Sequence, residues 1–166
     1  MGRPAPDAEL HEFYNERTRE TGTLLYGRRL YELMNAYWPT ADQDPDAPSY
    51  VVEFAKIWQA TPIVVFSTTL DAVQGNARLA TGEVVSEVRA LKQQPGNELA
   101  VAGAGLAASL MPHGLIDEYR LLVCPVVVGG GTPFFPALRD QIDLRLIETR
   151  TFGSGVVYLR YATMST

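Results

Sequence analysis

The sequence predicts a three-layer α/β fold, in which a mostly parallel mixed sheet is flanked by helices and an antiparallel hairpin ends the chain. Strand-like and helix-like segments alternate through the first two thirds of the chain, and the last third is rich in strands, an order typical of such sheets. Residues 63–66 form a continuous apolar run, mostly β-branched, which is typical of a strand buried on both faces. The 166 residues, 46% of them hydrophobic, are enough for one domain over residues 1–166.

Five segments have the spacing of amphipathic helices. In the first, Asp7 can cap the amino end, and Leu10, Phe13 and Tyr14 fall on one side. This pattern predicts a helix that ends near residue 19. Similar spacing predicts helices over residues 28–37, 50–58, 84–92 and 103–111, and the Asp- and Pro-rich residues 39–48 are expected to form a surface loop.

Short apolar runs predict the strands. They cover residues 23–26, 63–66, 99–102 and 118–128, the last of which is broken by Pro125 and closed by three glycines. Cys124 lies within that last run and is expected to be a small core residue. Residues 144–149 and 156–161 alternate around a Phe-Gly-Ser-Gly turn, which predicts an antiparallel hairpin.

The composition excludes several classes of function. A net charge of −5, from 14 basic and 19 acidic residues, argues against a nucleic-acid-binding surface. One cysteine and two histidines provide neither a disulfide nor a zinc site, so we expect no metal. The first residues lack the apolar core of a signal peptide, and the apolar stretch at 121–128 is too short to cross a membrane. We therefore expect a cytoplasmic protein that binds a small molecule.

One strand end is rich in small residues. In parallel sheets, ligands bind beyond the carboxyl ends of the strands. Here a strand passes straight into a helix through Ala102, Gly103, Ala104, Gly105 and Leu106. The first N–H groups of such a helix are unpaired and can bind a diphosphate. The alternative is that the small residues only allow the helix to pack closely on the strand. The run is not the full GxGxxG fingerprint, so it does not indicate a standard Rossmann fold.

Two other strand ends carry basic and hydroxyl groups. Gly27 permits a tight turn, and Arg28 or Arg29 at the following helix start can bind a phosphate with a fork of donors. Ser67 and Thr68 offer hydroxyls that can contact a phosphate or a ribose. The alternatives to ligand binding are that the arginines are ordinary solvated residues and that the hydroxyls cap a turn. Because all three strand ends should lie along one edge of the sheet, a dinucleotide with an extra phosphate would use all of them.

Candidates for acid–base chemistry lie in the first helix, which carries several carboxylates. One that projects into an apolar cleft would have a raised pKa and could pass a proton to a ring nitrogen. Acidic residues in a first helical turn also serve as favourable dipole partners. We select Glu9 and Glu12 as candidates for binding or protonating a substrate ring.

Six segments, in this order, resemble the dihydrofolate-reductase-like family. Within it they are similar to the reductase domain at the C-terminus of the bifunctional riboflavin-biosynthesis deaminase–reductase (the RibD C-terminal domain) and to its stand-alone bacterial members. Together they span roughly residues 8 to 161. The segments are TLLYGRRLYE at 23–32, VFSTTL at 65–70, LAVAGAGL at 99–106, GLIDEY at 114–119, PVVVGGGTPFF at 125–135 and FGSGVVYL at 152–159.

The resemblance implies that NADPH lies across the strand ends and supplies a hydride. It assigns the 2′-phosphate to Gly27, Arg28 and Arg29, and the adenosine ribose phosphate to Ser67 and Thr68. It assigns the diphosphate to residues 102–106. Glycines 129–131, with Gly130 at their centre, would border the nicotinamide and the substrate.

The sequence departs from the family pattern at three places. Ala102 stands where the family has the first of two adjacent glycines, and Leu30 where it often has Thr. Members also open with an apolar strand and a Ser-Leu-Asp-Gly-type turn before the first helix, and that strand lies centrally in the sheet. This sequence begins at about the point where that segment ends. Loss of that strand would leave a central gap with unpaired backbone groups, which is costly, so either the sequence is truncated or the chain repairs the sheet in an unusual way.

Two hypotheses about function follow. The first is an NADPH-dependent reductase that transfers hydride to a small pteridine-like or pyrimidine-like heterocycle. The alternative is a non-catalytic nucleotide-binding or oligomerisation module on the same fold, which the missing strand and Ala102 favour. The apolar C-terminal strands and residues 133–136 are expected to form a homodimer contact or a pocket wall.

Overall fold

The computed structural model describes residues 7–164, which form five α-helices and seven strands. Two short 3₁₀ helices, Ala41–Gln43 and Met111–His113, lie between them. In chain order the elements are α1 (Ala8–Arg19), β1 (Thr21–Gly27), α2 (Arg28–Asn35), α3 (Ser49–Ala60), β2 (Ile63–Phe66), β3 (Ala77–Leu79), α4 (Val84–Lys92), β4 (Glu98–Ala102), α5 (Ala104–Leu110), β5 (Glu118–Val123), β6 (Leu144–Thr151) and β7 (Val157–Thr163).

The first helix begins and ends where its sequence requires. The Asp7 carboxylate accepts a hydrogen bond from the backbone N–H of Leu10 at 2.9 Å, which caps α1. Leu10 and Phe13 are buried on the inner side of this helix. The other four helices also start within one residue of the positions that the apolar spacing predicts.

The first sheet is fully parallel, with strand order β3-β2-β1-β4. Strand β3 was not predicted, because three residues are too few to show an alternating pattern. It is held in place by Asn76, whose side-chain amide donates to the carbonyl oxygens of Trp58 at 2.6 Å and Thr61 at 2.5 Å. This anchor fixes the chain just before β3 pairs with β2.

Helices cover both faces of the parallel sheet, which gives the expected three layers. On one face, Leu24 and Val65 pack against Phe54 and Trp58 of α3. On the other face, buried sheet residues pack against α4 and α5; this cluster consists of Leu25, Val64, Phe66, Val88 and Leu110. Strands β1 and β2 are therefore apolar on both faces, as their uninterrupted apolar runs predict.

The second sheet is antiparallel, with strand order β5-β7-β6. The expected hairpin is confirmed as β6 and β7. The prediction of a strand over residues 118–128 is wrong beyond Val123, where β5 ends. Pro125 has no N–H to give to a ladder, and the N–H of Val126 donates to the carbonyl of Cys124 at 2.8 Å, so the chain turns. Cys124 is consequently exposed, and its assignment to the core is also wrong.

A gap separates the two sheets. Strand β4 ends one sheet and β5 ends the other. Within residues 7–164 no backbone hydrogen bond joins these two strands. The sheet is thus not repaired within the described residues, and the gap is present. Within the same described range, no helix is long and apolar enough to span a membrane.

Candidate active site at the strand ends

Three strand ends meet at one edge of the parallel sheet. Gly27, at the end of β1, pairs in register with Phe66, so Ser67 follows at the same level. Tyr26 pairs with Ala102, which places Gly103 beside Gly27. The sheet therefore brings together the three groups of residues that the sequence selected.

Helix α2 starts directly at this edge, with Gly27 as its cap residue and no side chain bonded to its first N–H groups. The Arg28 guanidinium donates from Nε to Glu32 at 2.9 Å and from Nη1 to the Thr69 hydroxyl at 2.8 Å. It thus reaches from α2 to the loop after β2. Arg29 is exposed and makes no ion pair with any residue in the range 7–164. Both guanidinium groups are accessible to an anion from solvent.

The hydroxyl of Ser67 is already used in a turn. Its oxygen accepts from the backbone N–H groups of Thr69 and Leu70, both at 3.1 Å. The turn-capping role that we gave as the alternative therefore applies to Ser67, whose oxygen also lies 3.4 Å from the Thr69 hydroxyl oxygen. Thr68 is exposed next to it. The two residues present hydroxyls and a fixed loop at the strand edge.

The small residues between β4 and α5 border open space. A Cβ built on Gly27 or Gly105 meets no atom within 4 Å, and one on Gly103 meets only Leu30 Cδ2 at 3.9 Å. Close packing of helix on strand does not explain these glycines, because nothing packs against them. Gly103 has φ +96° and ψ 124°, a conformation open to glycine alone. An approaching ligand has direct access to this backbone.

A cavity of about 790 Å³ extends from this edge into the gap between the sheets. Leu30, Met34 and Gly103 at this edge line the cavity, as does Tyr26. Burial raises the pKa of Tyr26 to about 12, so its hydroxyl stays protonated at neutral pH.

Charged side chains also line this cavity. Arg120 of β5 donates in a bidentate fashion to Glu98 of β4, with both distances 2.6 Å. Glu118 accepts two hydrogen bonds from Arg160 and one from Arg120. These bonds hold the pKa of the Glu118 carboxyl below its ordinary value, the bond from Arg160 being the largest cause. The sequence carried no signal for this ion-pair network, because its members are far apart along the chain.

The two carboxylates selected for acid–base chemistry lie elsewhere. Glu9 accepts from Arg150 at 3.0 Å and from the backbone N–H of Gly153 at 3.1 Å, and it ties α1 to the β6–β7 hairpin. These bonds lower the pKa of Glu9, chiefly through Gly153, so the group is ionised at neutral pH and has no proton to give. Glu12 is exposed. Neither side chain lines the cavity.

The glycine-rich loop lies on the surface. Gly130 is exposed, and no hydrogen bond among the described residues joins it to the three strand ends. The nearby Phe134 and Phe135 rings contact each other and Tyr119, with centroids 5.3 Å apart for Phe135 and Tyr119. Phe134 also lines the cavity, so this segment forms part of its wall. Among residues 7–164 no group of three or more potential metal ligands occurs.

Comparison with known proteins identifies relatives at the level of sequence. The model of the RibD C-terminal domain family matches residues 4–158. The uncharacterized protein YyaP of Bacillus subtilis is 35% identical over 157 residues, which cover 94% of this chain and 79% of YyaP. The uncharacterized protein YwjB of the same organism is 29% identical over 144 residues, which cover 86% of this chain and 75% of YwjB.

Solved structures share the fold at lower identity. A Shewanella sp. PV-4 protein named for riboflavin biosynthesis superposes with a TM-score of 0.70 at 21% identity, covering 99% of this chain and 84% of that one. A pyrimidine reductase-like protein from Corynebacterium diphtheriae gives a TM-score of 0.64 at 11% identity, covering 97% and 83%. This chain belongs to the RibD C-terminal domain family.

Proposed function

We propose that the protein is an NADPH-dependent reductase that transfers hydride to a small pteridine-like or pyrimidine-like heterocycle. One observation carries the proposal: three strand ends lie side by side beneath two accessible arginines, and the glycines at two of these ends border open space. Membership of the family supports it, as does the likeness of the fold to a protein named pyrimidine reductase-like. Bound NADPH would supply the hydride.

The residues at the edge fit the parts of this cofactor. Arg28 and Arg29 would bind the 2′-phosphate, since guanidinium forks match phosphate oxygens. Ser67 and Thr68 would contact the adenosine ribose phosphate. The backbone from Ala102 to Leu106 would approach the diphosphate, because the glycines there leave space for it. Gly103 and Gly105 support this fit, because close packing does not require a glycine at either position.

The part of the cavity at this edge would hold the reacting rings. Leu30 and Met34 give it apolar walls that exclude water, and Tyr26 is a neutral hydrogen-bond donor within it. Glu9 is not available as a proton donor, because its carboxylate is ionised and bound to Arg150 and Gly153. Glu12 remains our prediction for binding the substrate ring. A role for Gly130 near the nicotinamide also remains a prediction.

The test is a titration of NADPH and of NADH, followed by the fluorescence of Trp38 and Trp58. We expect NADPH to bind at micromolar concentrations and NADH much more weakly. Arg28→Gln should weaken NADPH by about tenfold or more, equivalent to about 1.5–3 kcal/mol for a charged hydrogen bond, and leave NADH nearly unchanged. Arg145→Gln, a change in an exposed arginine of the other sheet, is the matched control. Equal binding of the two dinucleotides would refute the assignment of the arginines.

The alternative is a non-catalytic nucleotide-binding or oligomerisation module on the same fold, and the gap between the two sheets beside the site favours it. Turnover separates the two proposals. NADPH oxidation with a pterin or a pyrimidinone supports the reductase, whereas tight NADPH binding without turnover supports the module. A cytoplasmic location and a homodimer remain part of the proposal and are checked by fractionation and by light scattering.

A further inference from the structure

We propose that Thr69 is a positioning residue for the cofactor site. Its hydroxyl holds the Arg28 guanidinium against the loop after β2, and this contact lets the protein prefer a dinucleotide with a 2′-phosphate to one without it. The inference rests on the proposed function, because it takes the 2′-phosphate as the ligand of Arg28. It adds a residue to which neither the sequence pattern nor the resemblance gives a role.

The Arg28 guanidinium is held at two points. Its Nε donates to the Glu32 carboxylate at 2.9 Å, and its Nη1 donates to the Thr69 hydroxyl at 2.8 Å. A guanidinium has five N–H donors, so donors remain on both Nη1 and Nη2 after these two bonds. Those two nitrogens form the end of the side chain, which is the fork that matches phosphate oxygens. The arginine is therefore oriented while its phosphate-binding end stays available.

The two contacts that hold Arg28 are not equivalent. Glu32 lies one turn further along α2, so this ion pair joins two residues of the same helix and moves with it. Both side chains are close to half exposed, and exposed pairs at this spacing contribute little. Thr69, by contrast, lies 41 positions away along the chain, after another strand. Of the two contacts, the one with Thr69 fixes the guanidinium relative to the loop after β2.

Thr69 is itself fixed within that loop. Its backbone N–H donates to Ser67 Oγ at 3.1 Å, and the two hydroxyl oxygens lie 3.4 Å apart. The N–H of Leu70 donates to the same Ser67 oxygen at 3.1 Å. Ser67 directly follows β2, whose last residue pairs in register with Gly27. The loop is thus a fixed support at the level where α2 begins.

Holding the arginine lowers the cost of binding a phosphate. A long side chain that is free before binding loses rotamer freedom on binding, which reduces affinity by about two- to tenfold for each side chain that is immobilised. The Glu32 carboxylate accepts from Nε of Arg28, and the bond to Thr69 keeps Nη1 from joining a two-pronged pair with that carboxylate. Neither effect requires Thr69 to touch the phosphate. The contribution of Thr69 should therefore depend on Arg28.

The experiment measures Kd by calorimetric titration of the full chain with NADPH, NADH and adenosine 2′,5′-bisphosphate. Thr69→Val removes the hydroxyl and keeps the shape of the side chain. It should weaken NADPH and the bisphosphate by about two- to tenfold and leave NADH unchanged. Thr69→Ser keeps a hydroxyl and should bind as the parent does. Thr149→Val, the same change at an exposed position of β6, is the matched control and should change none of the three.

A double variant separates positioning from direct contact. In a chain that already carries Arg28→Gln, adding Thr69→Val should cause no further loss of NADPH affinity, because the group that Thr69 holds is gone. A further loss as large as that seen in the parent chain would mean that the hydroxyl binds the ligand by itself, and the positioning role would be overturned.

A measurement on the free protein gives a readout that needs no cofactor. The NMR order parameter of the Arg28 Nε–H bond should fall below about 0.6 in Thr69→Val, the range of flexible groups. It should keep the parent value in Thr69→Ser and in Thr149→Val. An order parameter that Thr69→Val leaves unchanged would overturn the inference.

The outcomes also distinguish this inference from the proposed function. The bisphosphate carries the 2′-phosphate but no nicotinamide, so its binding is independent of hydride transfer and of turnover. If the parent chain prefers NADPH and keeps its full preference in Thr69→Val, the positioning role alone is wrong. If the parent chain binds NADPH and NADH equally, the assignment of the arginines and the role of Thr69 are refuted together.

Discussion

Gly103 and Gly105 lie two residues apart, and we expect alanine to have opposite effects on stability at the two positions. At Gly103, φ is +96°, whereas Gly105 lies inside α5 with ordinary helical geometry. Space does not distinguish the two sites. A Cβ at Gly103 comes no closer than 3.9 Å to Leu30 Cδ2, and one at Gly105 has no neighbour within 4 Å. The difference is therefore a matter of backbone conformation alone.

The magnitudes follow from this conformation. Forcing a residue with a Cβ into the conformation of Gly103 costs about 1–3 kcal/mol. Replacing a helical glycine by alanine stabilises by about 0.5–1 kcal/mol, because less chain entropy is lost on folding. Gly103→Ala should thus lower the free energy of unfolding by about 2 kcal/mol, and Gly105→Ala should raise it slightly.

Urea unfolding followed by circular dichroism measures both changes. With a slope of about 2 kcal/mol per molar urea, Gly103→Ala moves the midpoint down by about 1 M and Gly105→Ala moves it up by less than half of that. In the NADPH titration both variants should bind more weakly, because each adds a methyl group where the diphosphate approaches. Equal midpoints for the two variants would show that the backbone at Gly103 is not held at positive φ, and the reasoning would fail.

Two further predictions concern the contacts between elements. The pKa of Glu118 is lowered by Arg160 and Arg120, so its contribution to stability is complete above the ordinary value of 4.5 and is lost as the pH falls through the lower folded value. Glu118→Gln should flatten the acid side of a plot of Tm against pH, and an unchanged acid slope would contradict this. Asn15 is fully buried and donates to the Tyr50 carbonyl at 2.9 Å and to Glu53 at 2.7 Å. Asn15→Ala should lower the free energy of unfolding, measured with urea, by about 2–4 kcal/mol. The exposed control Glu16→Ala should change that free energy by no more than about 0.5 kcal/mol.

Local patterns in the sequence predicted most of the elements of the parallel sheet. The apolar run at 63–66 and the cap at Asp7 depend on residues close together in the chain, and both features are present as expected. The glycines at the strand ends were also found from sequence, because turns and close approach to backbone require that residue type. Local patterns in the sequence were enough to predict these features, because a strand that is buried on both faces needs apolar residues at successive positions.

Features that depend on distant contacts were not predicted. The bidentate pair of Arg120 and Glu98 joins residues from two different sheets, and no local pattern marks either one as a partner. Glu9 was selected as an acid because it lies at a helix start, but its partners come from a hairpin at the other end of the chain. The β5 prediction was wrong beyond Val123 because the apolar run was extended past Pro125, although a proline has no N–H to give to a ladder.

The gap between the sheets also affects how cooperatively the molecule unfolds. Within each sheet, strands are held by backbone hydrogen bonds, which added salt barely alters. Between β4 and β5 the direct side-chain link is the ion pair of Arg120 and Glu98, and mobile ions screen it in part. Rising ionic strength should therefore weaken this ion pair, while the apolar cluster of Ala107, Met111 and Tyr119 keeps the two sheets together.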